Sequence, residues 1–91
     1  MIATGDLDLP SVPVLEAALR AVEEHATIVI LDLSRLSFMD STGLQLIVRA
    51  EQRLSESHRT LKLIRGSSQI QRLFLLSGLE PHFRFIVPGE N

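Results

Sequence analysis

Cysteine is absent from the chain. That excludes disulfides, thiolate metal sites and a cysteine nucleophile together. Tryptophan and tyrosine are absent too, which leaves little for stacking on bases or sugars. There is no basic run, and nine Lys plus Arg stand against eleven Asp plus Glu. Nucleic acid is therefore not expected as a ligand. The longest apolar runs are Ile28 to Leu31 and Leu73 to Leu76. A bilayer span needs roughly 18 such residues, so no membrane segment is expected. The first residues, Met1 to Gly5, carry neither the basic stretch nor the apolar core of a signal peptide. What is present is 45% hydrophobic residues in 91, enough for one core and one domain over residues 1–91. The expectation is a soluble, cytoplasmic protein.

Strand and helix patterns alternate along the chain. Ile2 to Gly5 reads as the end of a strand that Gly5 breaks. Pro10, Ser11 and Pro13 mark a helix entry, where a missing N–H costs nothing. Val14, Leu15, Ala18, Leu19 and Val22 recur at helical spacing, with Glu16, Arg20, Glu23 and Glu24 on the other side. This predicts a helix over Val12 to His25. Thr27 to Leu33 is β-branched without polar alternation, which predicts a strand covered on both faces or a central strand of a mostly parallel sheet. Ser34 to Asp40 is read as a connection. A second helix is expected from Thr42 or Gly43 to about Ser57 to Arg59. Its inner face would be Leu44, Ile47, Val48 and Leu54, with Arg49, Glu51, Gln52, Arg53 and Glu56 in solvent.

Leu61, Leu63 and Ile64 predict a less buried strand. A third helix follows Gly66, with Ser67 or Ser68 as N-cap. Gly78 stops it, and Leu79 folds back beyond the cap. Phe83, Phe85, Ile86 and Val87 predict a last strand, closed by Pro88 and Gly89. The order is β-α-β-α-β-α-β, an α/β fold.

The chemistry concentrates where Asp40, Ser41, Thr42 and Gly43 open the second helix. Thr42 has Gln45 three positions on, the spacing of a capping box. Thr42 is then the expected cap, and Ser41 lies one residue outside with its hydroxyl less committed to the backbone. The plain reading is a polar helix start. The sharper one is a phosphorylation site. A phosphate on Ser41 would meet the N-terminal end of a helix, which tolerates an anion. It would also add about −1.5 to −2 charge beside Asp40.

The stretch Leu31 to Leu46, with its core Asp40-Ser41-Thr42-Gly43-Leu44, resembles the signature of the STAS family of anti-sigma-factor antagonists. Gly5-Asp6-Leu7-Asp8, the helix Val12 to Val22, the segment Ser67 to Leu79 and the strand Phe85 to Val87 resemble further family features. The resemblance implies a mixed β-sheet with helices packed against it. It also implies partner switching. The unphosphorylated antagonist binds an anti-sigma factor that is itself a serine kinase, phosphorylation at Ser41 releases it, and a serine phosphatase restores binding. Asp8, Asp40, Ser41, Thr42 and Gly43 would border the contact surface. Family members usually carry a further strand at the start and often a helix at the end. An unpaired sheet edge here would invite a homodimer. The alternative is a non-switching scaffold or dimerisation module, with Ser41 only part of a cap.

No cofactor or metal is expected, since His25, His58 and His82 have no ligand spacing. Neither a P-loop nor a GxSxG elbow is present, so no enzyme is expected. A phospho-aspartate receiver domain, suggested by Asp6, Asp8, Asp32 and Asp40, would need a lysine late in a strand. The only lysine, Lys62, comes early in one.

Overall fold

The computed structural model describes residues 1–87. The expected Pro88 and Gly89 closure lies outside them. The elements run β1 (Ile2–Leu7), α1 (Val12–Glu23), β2 (Ile28–Met39), α2 (Ser41–Glu56), β3 (Thr60–Ile64), α3 (Ser68–Leu76), a 3₁₀ turn (Glu80–His82) and β4 (Arg84–Ile86). The α/β order is the expected one. The strands lie side by side in chain order, and every pairing among the described residues is parallel, where the resemblance implied a mixed sheet.

Chain-order pairing has a consequence. Each crossover advances in the same direction, and right-handed crossovers then carry all three helices to one face. Burial follows this layering. Val29, Leu31, Leu33, Leu61 and Leu63 are buried under the helices. Ile30, Asp32, Lys62 and Ile64 point the other way and are only partly covered, and Ile28 is 50% exposed. So β2 is covered by helices on one face and is an interior strand of a parallel sheet, the second of the two arrangements its unbroken apolar run suggested. β2 also extends through Ser34 to Met39, the stretch expected to be a connection. β1 extends through Gly5 as well. Gly5 takes φ +75° at a register shift instead of ending the strand.

The core is built from Leu19, the buried β2 and β3 side chains, Leu46, Ile47, Ala50 and Leu54 of α2, and Ile70 and Phe74 of α3. Phe74 meets Phe83 and Phe85 edge-on, each with ring centroids 5.3 Å away. Ser67 caps α3 by accepting from the Ile70 N–H. Gly78, at φ +76°, ends it, and Leu79 packs back onto the core. Val48 is only partly buried, and Val14 of the expected inner face of α1 is 74% exposed.

Two charges placed in solvent by helical spacing are not there. Glu23 is 5% exposed and accepts from Arg53 at 3.0 and 2.7 Å. This fork joins α1 to α2. The Glu23 carboxylate is the main reason that the Arg53 pKa is raised. Arg59 closes the same corner by donating to the Glu23 and Ala26 carbonyls at the end of α1.

Candidate functional site

The site lies where β2 turns into α2. Because β2 stays extended to Met39, the helix is entered at Asp40, whose own backbone is extended (φ −107°, ψ −172°). Asp40 Oδ1 accepts from the Thr42 N–H at 2.9 Å and the Gly43 N–H at 3.2 Å. It also accepts from the Thr42 hydroxyl at 2.5 Å. Asp40 is therefore the N-cap, and the expected Thr42 cap is corrected. A carboxylate outcompetes a hydroxyl for these donors, and Thr42 is already inside the first turn. The Thr42 hydroxyl is the leading cause that holds the Asp40 carboxyl below its ordinary pKa, and the two N–H groups add to it.

Ser41 becomes the first helical residue. It is exposed, and its hydroxyl makes no hydrogen bond among the described residues. The outcome anticipated for Ser41 thus has a different cause: Asp40, not Thr42, frees it. Leu44 and Ile47 are buried below it.

The β1–α1 loop is tied to this start. The Asp40 N–H donates to the Leu7 carbonyl at 3.2 Å. Asp8 follows directly, half-buried, with its Oδ1 3.0 Å from the Ser11 hydroxyl. Gly43 is buried. A Cβ there would stand 2.8 Å from the Leu7 carbonyl oxygen and 2.8 Å from Met39 Cγ. Its missing side chain lets α2 rest on the end of β1, and so draws Asp8 toward Asp40 and Ser41. Sequence reasoning grouped these five positions; the structure separates four near the surface from one that supports them.

It also missed apolar neighbours. Phe38 is 49% exposed and Leu76 72% exposed, and both line a groove of about 310 Å³ with Met39, Arg72 and Leu73. The signal was there: the run Leu73-Phe74-Leu75-Leu76 is wider than one buried helix face requires. Among the described residues no group of His, Asp or Glu could hold a metal ion, and no helix is long and apolar enough to cross a membrane.

The family model described as "Mlab, STAS domain" matches residues 1–88. The chain belongs to the STAS domain family. This STAS domain is 36% identical over 77 residues to the anti-sigma-B factor antagonist of Staphylococcus aureus, covering 84% of this chain and 71% of that protein. A solved anti-sigma factor antagonist from Mycobacterium paratuberculosis superposes with a TM-score of 0.84 at 25% identity, over 96% of this chain and 74% of that one. The anti-sigma factor antagonist SpoIIAA in its unphosphorylated form gives 0.78 at 28% identity, over 96% and 77%. The Bacillus SpoIIAA in the phosphorylated form gives 0.71 at 27%, over 96% and 80%.

Proposed function

We propose that this STAS domain is an anti-sigma-factor antagonist that docks through the α2 start onto an anti-sigma factor with serine-kinase activity. Phosphorylation of Ser41 ends the docking, and a serine phosphatase reverses it. The protein regulates transcription indirectly, in the cytoplasm, and is not itself an enzyme. The observation that carries this reading is Ser41: an exposed, uncommitted hydroxyl on a helix start whose capping is done by its neighbour. A kinase can take that hydroxyl without removing a structural hydrogen bond. The curated relatives are antagonists, and one solved relative exists in phosphorylated and unphosphorylated forms.

The surface has the parts that such an interface needs. Asp8 and Asp40 offer negative charge to a basic partner group, and Phe38 and Leu76 offer apolar area beside it. Incubation with the cognate kinase and ATP, read by mass spectrometry, should show one phosphate on Ser41. No phosphate, or one elsewhere, leaves the non-switching scaffold reading instead.

A further inference from the structure

Ser11 stands at the N-cap of α1, yet its hydroxyl caps nothing. A capping side chain accepts from the second or third helical N–H. The second residue of α1 is Pro13, which has no N–H, and the third, Val14, donates to the Ser11 carbonyl at 3.2 Å. The hydroxyl is turned back into the β1–α1 loop instead. It accepts from the Asp8 N–H at 2.9 Å. Its single proton lies among three acceptors, the Asp6 carbonyl at 2.8 Å, Asp8 Oδ1 at 3.0 Å and the Asp8 carbonyl at 3.1 Å. The Asp8 carbonyl also accepts from the Ser11 and Val12 N–H groups, each at 3.0 Å. One residue thus holds Asp8 at its N–H, its carbonyl and its carboxylate, while Asp8 Oδ2 takes no hydrogen bond among the described residues.

We propose that Ser11 is a positioning residue of the docking surface. It fixes the Asp8 carboxylate in one pose, from which the free oxygen meets a basic group of the partner, and it acts only through Asp8. The inference rests on the proposed docking of the α2 start onto an anti-sigma factor. Of the three acceptors around the Ser11 proton the carboxylate is the charged one, which favours the proton there. The loop is tied to the α2 start by the Asp40 N–H on the Leu7 carbonyl, so an Asp8 held still beside Leu7 is held still relative to Ser41. The gain is preorganisation: a side chain already ordered in the free protein loses less freedom on binding.

Calorimetric titration of the full chain with the anti-sigma kinase that phosphorylates Ser41 tests this. Ser11→Ala should weaken binding about threefold to tenfold, the effect of one side chain left free. Ser11→Thr keeps the hydroxyl and should bind like wild type. Ser11→Val has the shape of threonine without the hydroxyl and should bind like Ser11→Ala. In an Asp8→Ala background neither Ser11→Ala nor Ser11→Val should weaken binding further, because the residue through which Ser11 acts is gone. A purely structural hydroxyl would show the same loss in both backgrounds. Amide hydrogen exchange gives a readout in the free protein, whatever the variants do to overall stability. The Asp8 N–H should exchange faster in Ser11→Val than the change in global stability accounts for, and Ser11→Thr should restore its protection. Equal affinities of wild type and Ser11→Val overturn the inference alone. So does an equal loss with and without Asp8, or an Asp8 N–H that keeps its protection in Ser11→Val. A wild-type chain that does not bind the kinase overturns the docking reading as well.

Discussion

Asp40, Ser41 and Thr42 are consecutive, yet each does different work. Asp40 holds two main-chain N–H groups and the Thr42 hydroxyl; the Ser41 hydroxyl holds nothing among the described residues. Ser41→Ala should therefore change stability by no more than about 0.5 kcal/mol. Asp40→Ala should be the most destabilising of the three alanine variants, and Thr42→Ala intermediate, because Thr42 only braces the cap. Urea midpoints order them, and a Ser41→Ala loss larger than that of Asp40→Ala would assign the cap to Ser41. The pH dependence has the same origin. Asp40 and Asp32 both ionise below their ordinary value, the latter mainly through the Ser34 hydroxyl. A depressed folded pKa adds stability above the unfolded value, and that stability is lost as pH falls through the folded one. Acid titration of Asp40→Asn should therefore show a shallower loss below about pH 4 than wild type. A second residue to test is His58, which sits just past the end of α2 at φ +59°. A side chain is strained there and glycine is not, so His58→Gly should raise stability by about 0.5–1 kcal/mol. An unchanged or lower urea midpoint would show that the side chain, not the backbone, governs this turn.

At the scale of elements, α1 and α2 are joined by the Glu23–Arg53 fork, and Leu19 and Ile47 are each buried in the shared core. Arg53→Ala should cost about 2 kcal/mol: removing one partner strands a buried carboxylate, although the partial exposure of Arg53 moderates the loss. Thermal melts of Arg53→Ala and of the double variant with Glu23→Gln would test this. The double variant should recover part of the loss, because no buried charge is left behind. Helical spacing put both residues in solvent, and the reason is physical. Periodicity describes one helix against one core and is blind to a second helix across the way. The same limit explains Val14, whose apolar character matches the core but whose position lies beyond it. What local sequence did resolve was the element order, a serine cap of α3 at Ser67 or Ser68, and Gly78 as its end, since each depends on neighbours within a few residues; the structure selects Ser67. The cap of α2 escaped because it depends on where β2 ends. The extended backbone of β2 continues to Met39, which six residues of mixed polarity did not disclose.

At the scale of the whole molecule, the chain-order sheet places the β1–α1 loop and the β2–α2 junction at the same end, so Asp8 and Ser41 belong to one surface. The site is thus assembled by topology, from residues more than thirty positions apart, and rests on a glycine that admits no Cβ. On the proposed function, that arrangement would separate binding from stability, and the separation can be measured. Ser41→Asp should leave the melting midpoint near wild type, because a negative charge at a helix N-terminus is tolerated. It should nevertheless weaken binding to the anti-sigma kinase. A docked interface excludes water, and an unpaired charge there lowers affinity through a faster off-rate. Asp40 already occupies the Thr42 and Gly43 N–H groups, so the new carboxylate finds few free donors and adds to an existing negative charge. Phosphoserine, with about −1.5 to −2 charge, should weaken binding more than Asp does. Ser41→Ala should bind like wild type and resist modification. Calorimetric titration of these four proteins should rank them wild type and Ala first, then Asp, then phosphoserine. Equal affinities across all four, with unchanged circular dichroism, would separate Ser41 from partner binding altogether and leave the domain a scaffold.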